Sequence, residues 1–92
     1  MTTVLDRFLR YVRVDTCSEH DSSSHPSTAK QFDLAKVLVE ELKALGLADA
    51  SVDEHCNVMA SLPANTAKKV PAIGLIAHMD TSPDFSGANV NP

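Results

Sequence analysis

The sequence predicts an α/β fold, and three observations carry that reading. Residues 4–12 and 32–45 place apolar side chains at helical spacing. Residues 50–54 and 57–62 read as two short strands around a tight turn. Residues 70–77, VPAIGLIA, form an apolar run without alternation, as in a strand buried on both faces. Helix, helix, strand, strand, strand is an order that suits helices packed on a sheet.

The first helix is expected to start from Thr2 or Thr3 as N-cap, with Val4, Leu5, Phe8, Leu9 and Val12 on one face. Its pattern ends in DTCSEHDSSSHPS, residues 15–27, where Ser, Asp, His and Pro favour turns. The second helix is expected to open at Ser27 or Thr28, with Thr28 and Gln31 as a capping box. Phe32, Ala35, Leu38 or Val39, Leu42 and Leu45 then make its buried stripe, opposite a solvated face of Lys36, Glu40 and Lys43. Gly46 stands where a left-handed C-cap is needed. The two short strands predict an antiparallel hairpin near a sheet edge, turning at His55 and Cys56. Residues 63–69 read as a loop.

Composition narrows function. The chain has 92 residues, enough for one small domain, with 43% hydrophobic and 22% charged residues. Eight Lys and Arg against twelve Asp and Glu leave a net charge of −4, which argues against nucleic acid and anionic membranes as partners. No run of about 18 apolar residues is present to span a bilayer, and the first residues lack the layout of a secretory signal. Cys17 and Cys56 do not make a disulfide framework, so reduced thiols in the cytoplasm are expected.

The chemistry concentrates at the end of the apolar run. His78 and Asp80 follow it directly, where ligands bind in open α/β sheets, and in extended backbone they point to the same side. An imidazole can give one nitrogen to a metal while a carboxylate holds the other. A catalytic zinc needs about three protein ligands, so this segment supplies part of a site. Cys17, His20, His25 and Cys56 match no closed zinc pattern. His20, His25 and His55 are expected to be solvated, and residues 22–24 to form a loop rather than a nucleophile.

AIGLIAHMDTSPD at 72–84, HMDTSPDFSGANVNP at 78–92, LPAN at 62–65 and HPSTAKQFDLAKVLVEELKALGL at 25–47 resemble the aminoacylase/carboxypeptidase-type family of di-zinc peptidases. The His-x-Asp-Thr segment is shared across that family, whereas SPDFSGANVNP resembles its tripeptide-trimming branch. The resemblance implies that residues 1–92 are the N-terminal portion of a three-layer α/β/α zinc-peptidase catalytic domain. It implies an aminopeptidase that releases the N-terminal residue of tripeptides with two zinc ions. His78 is then a metal ligand, and Asp80 the catalytic-site carboxylate that orients a ligand. The bridging Asp, the Glu general base, the other ligands and an inserted lid or dimerisation domain have no counterpart here. The chain therefore reads as a fragment, inert alone and prone to self-association, because a later strand of the family lies between residues 57–62 and 70–77. One departure is Cys56, where the family carries Gly, which puts the turn geometry in question. Two other functions fit the residues: a non-catalytic α/β partner-binding module, or a related metallo-carboxypeptidase or deacylase.

Overall fold

A computed structural model describes residues 2–92. Helix α1 spans Val4–Tyr11. Thr3 caps it through a reciprocal box: the Asp6 amide donates to Thr3 Oγ1 at 3.1 Å, and the Thr3 amide donates to the Asp6 carboxylate at 2.9 Å. These bonds hold the Asp6 carboxyl below its ordinary pKa, the Thr3 amide being the largest cause. The apolar face is present but only partly covered: Leu9 and Val12 are half-buried, whereas Val4, Leu5 and Phe8 are exposed.

Helix α2 spans Gln31–Ala44, later than expected. Thr28 does not cap it. Its hydroxyl donates to the Cys17 carbonyl at 2.7 Å, and Gln31 Nε2 donates to Thr28 Oγ1 at 3.0 Å. Thr28 is thus engaged with the preceding loop, and the turns before Gln31 close through backbone bonds such as Phe32 N to Ala29 O. The buried residues are Gln31, Leu34, Ala35 and Val39. The buried face is therefore rotated from the expected stripe at both ends: Phe32 is half-buried and Leu45 is exposed. At the C-terminus Gly46 has φ +96°, and Leu47 N donates to Leu42 O while Gly46 N donates to Lys43 O. That pair of bonds is a Schellman motif. Arg7, Arg10 and Tyr11 of α1 all reach Glu41 of α2, joining the two helices.

Helix α2 packs on a two-stranded antiparallel sheet of β1, Ser51–Val52, and β2, Val58–Met59. The register pairs Ser51 with Met59 and Val52 with Val58. The hairpin is where the sequence predicts it, with shorter strands. Asp53 ends the ladder by folding its carboxylate over the turn, accepting from the His55 and Asn57 amides at 2.9 and 2.8 Å. Beyond β2, Ser61 N turns to the Asp49 carboxylate instead of a strand partner. The turn places Cys56, not Asn57, at positive φ, 67°. A left-handed L-residue costs about 1 kcal/mol. Burial of the Cys56 side chain and its amide bond to the Asp53 carbonyl accompany that conformation. Burial, with the Asp53 charge second, pushes the Cys56 thiol pKa up.

Residues 70–77 correct the strongest strand expectation. They have no ladder partner, and Ile73, Leu75 and Ile76 are 86%, 95% and 98% exposed. A strand exists by pairing, and among the described residues no segment pairs with this one through backbone hydrogen bonds. The third strand and its parallel orientation to residues 50–54 are therefore not formed, and the described sheet is the hairpin alone.

Two outcomes follow from this packing. Gly46→Ala should lower stability by about 1 kcal/mol in urea denaturation. No atom lies within 4 Å of an added Cβ, so the loss is purely one of backbone conformation, and wild-type stability in the variant would refute that use of Gly46. The 92-residue chain alone should sediment as dimers or larger species through its uncovered apolar residues; a monodisperse monomer contradicts this.

Candidate functional site

The site is assembled by a pairing between loops 63 residues apart in sequence. Cys17 and Thr81 form a parallel bridge. Thr16 Oγ1 donates to Met79 O at 2.9 Å, Thr81 N donates to Thr16 O at 3.2 Å, and both Ser18 N and Ser18 Oγ donate to Thr81 O at 2.9 Å. The stretch after α1 is therefore more than a turn. It lies alongside the His-Met-Asp-Thr segment and fixes its backbone.

Asp15 anchors that loop. Its carboxylate accepts from the Cys17 amide at 3.0 Å and pairs with Lys30 Nζ at 3.1 Å, just ahead of α2. The Cys17 amide first, and Lys30 second, hold the Asp15 carboxyl below its ordinary pKa. Gly87 lies close to the same group: a Cβ there would stand 3.0 Å from Asp15 Oδ1 and 3.3 Å from Thr81 Oγ1. A side chain at position 87 would press on both loops.

His78 and Asp80 are brought together. His78 Nδ1 lies 3.1 Å from Asp80 Oδ1. An ionised carboxylate only accepts, so Nδ1 is the donor, and in the neutral imidazole that leaves the lone pair on Nε2. The His78 side chain is 85% exposed and that of Asp80 42%, so the free nitrogen is accessible. Both residues line an open groove whose other walls include Glu41 and Leu42 of α2, Val58 and Met59 of β2, and residues 73–76. A second, apolar cavity of about 560 Å³ lies between Tyr11, Val12, Leu34, Leu38, Phe85 and Val90, with His78 also on its wall.

The donor set fits one corner of a metal site. An imidazole with its far nitrogen held by a carboxylate is the arrangement that orients a histidine ligand. Among the described residues no group of three or more His, Cys, Asp or Glu converges, so further ligands are required. Cys17, His20, His25 and Cys56 are not gathered into such a group. His20, His25 and His55 are exposed, as the sequence predicts, and His55 Nε2 lies 3.4 Å from Glu54. Ser22 and Ser24 bond each other in an exposed loop. The residues that sequence reasoning passed over are Asp15, Thr16 and Ser18. Their one local signal is the β-branched alternation of Val12, Val14 and Thr16, which suits an extended segment.

No family model matches the chain. Curated proteins named Peptidase T do match it over essentially its whole length. That of Alkaliphilus oremlandii (strain OhILAs) is 64% identical over 94 residues, covering 100% of this chain and 23% of that protein. That of Geobacillus thermodenitrificans (strain NG80-2) is 58% identical over 89 residues, covering 97% of this chain and 22% of that protein. That of Clostridium botulinum (strain Langeland / NCTC 10281 / Type F) is 61% identical over 92 residues, covering 100% and 22%. The chain thus spans about 22–23% of the length of the curated relatives it matches.

The Asp15 anchor sets an acid dependence. Its folded pKa lies below the unfolded value, so its contribution is present above the ordinary carboxylate range and is lost as pH falls through the lowered value. Melting temperature should fall between about pH 5 and about pH 2, less steeply in Asp15→Asn. An identical acid slope in the two proteins contradicts the anchor.

Proposed function

We infer from this whole-chain likeness that the protein is part of a peptidase of the Peptidase T kind, an aminopeptidase that uses zinc to remove the N-terminal residue of tripeptides. The observation that carries the chemical part of the reading is the His78–Asp80 pair, with Nδ1 engaged and Nε2 free. The name shared by the relatives supports peptide hydrolysis. Zinc, two ions per subunit, the tripeptide preference and a cytoplasmic setting are the finer parts of the proposal. Both cysteines are free thiols, in keeping with a reducing compartment. No helix among the described residues is long and apolar enough to cross a membrane.

In this reading residues 1–92 belong to the catalytic domain, and the helices and hairpin are part of its α/β/α layering. The uncovered residues 73–76 and the open face of α1 are surfaces that further chain packs against. His78 would hold one metal, with Nε2 as its available nitrogen. Asp80 keeps the proton on Nδ1, which fixes the tautomer and the ring plane. When bound, zinc supplies a Lewis acid and lowers the pKa of a water. The remaining ligands and the general base come from outside these 92 residues, so this segment contributes binding and orientation, not the proton transfer itself.

The test uses the full-length protein. His78→Ala should remove most tripeptidase activity and one zinc equivalent, measured by turnover and metal analysis. Asp80→Ala should lower activity or metal affinity by about 10- to 100-fold with the fold intact. Unchanged metal content and turnover in His78→Ala would dispose of the ligand role, and near wild-type kinetics in Asp80→Ala would reduce it to a loop residue.

A further inference from the structure

We propose that Thr16 is a positioning residue for the His78–Asp80 pair, acting through the backbone on either side of Asp80. The carbonyl of Met79 belongs to the peptide unit preceding Asp80, and the amide of Thr81 to the one following it. Thr16 takes hold of both: its hydroxyl donates to Met79 O at 2.9 Å, and its carbonyl accepts from Thr81 N at 3.2 Å. One residue thereby fixes the two peptide planes that set the backbone dihedrals of Asp80. Those dihedrals aim the Asp80 side chain, and so its 3.1 Å contact with His78 Nδ1.

The chain leading into the pair is little packed. The His78 side chain is 85% exposed, and residues 73–77 before it are exposed as well. Thr16, by contrast, is 3% exposed and belongs to a loop tied down on both sides. Asp15 accepts the Cys17 amide and pairs with Lys30, and Thr28 Oγ1 donates to Cys17 O at 2.7 Å. The order of the exposed pair is thus borrowed from a buried threonine. Valine has the same shape as threonine but donates nothing, which leaves the Met79 carbonyl without its partner. Serine keeps the donor and loses only a methyl group.

The kinetic part of the test rests on the peptidase reading above; the spectroscopic part does not. In the metal-free full-length protein carrying 15N-labelled histidine, wild type and Thr16→Ser should show the His78 proton held on Nδ1. Thr16→Val should show a mixture of tautomers. Zinc affinity, measured by competition with a chromophoric chelator, should weaken about threefold to tenfold in Thr16→Val, the equivalent of one hydrogen bond. Tripeptide turnover should fall in the same proportion with KM unchanged, and Thr16→Ser should restore both. If Thr16→Val does not fold, Thr16→Ala takes its place in each measurement. A wild-type tautomer spectrum in the variant lacking the hydroxyl overturns the proposal, as does a Thr16→Ser protein as impaired as Thr16→Val. If wild type shows no tripeptide cleavage, the peptidase reading fails and the His78 spectrum still decides the role of Thr16.

Discussion

Everything that gives this chain a site depends on the pairing of residues 16–18 with residues 79–81. Without it, His78 and Asp80 would lie on an exposed strip of chain after eight residues that pair with no strand among the described residues. With it, the strip is fastened to a loop, the loop is fastened to the start of α2, and α2 rests on the hairpin. The pairing closes a long loop, which is entropically costly for a small domain. Two of its donors are hydroxyls, Thr16 in a part-buried bond and Ser18 in an exposed one, and both meet backbone carbonyls. Function and fold meet at this contact: the same hydrogen bonds that order residues 79–81 also orient the carboxylate beside the imidazole.

Local rules were easy to read from the sequence because the physics behind them is local. Thr3 caps α1 because its hydroxyl meets an amide three residues on. Gly46 ends α2 because a left-handed residue is needed there and glycine takes that conformation without strain. The hairpin sits between Ala50 and Ser61 because Asp53 and Asn57 have the short polar side chains that close a turn. His78 and Asp80 stood out because they end an apolar run with two metal-competent groups. The distant contacts left no such mark. Thr16 sits in a polar stretch whose composition reads as a turn, and its partner is 63 residues away. Thr28 looked like a cap, yet its hydroxyl serves the Cys17 carbonyl. The apolar run at 70–77 has the composition of a buried strand, but pairing depends on a neighbour that periodicity cannot supply.

The helical layer shows the same division between local order and missing neighbours. Glu41 collects Arg7, Arg10 and Tyr11 across the α1–α2 interface, so charge and hydrogen bonding join the helices at one point. The Glu41 side chain is 17% exposed against 29% for Arg7 and 49% for Arg10, so solvent screens the Arg10 pair most. The apolar face of α1 lies open beside them, as do Ile73, Leu75 and Ile76. These surfaces have the composition of a core. The chain spans about 22–23% of the length of the curated relatives it matches.

The central claim is that His78 offers Nε2 to a metal while Asp80, set by Thr16, holds Nδ1. Zinc-edge anomalous diffraction from crystals of the full-length protein tests it most directly. The account predicts a zinc peak at about 2.0–2.1 Å from His78 Nε2, with Asp80 on Nδ1 and the Thr16 hydroxyl on the Met79 carbonyl. A zinc site that leaves His78 out, or one bound through Nδ1 with Asp80 turned away, would contradict it.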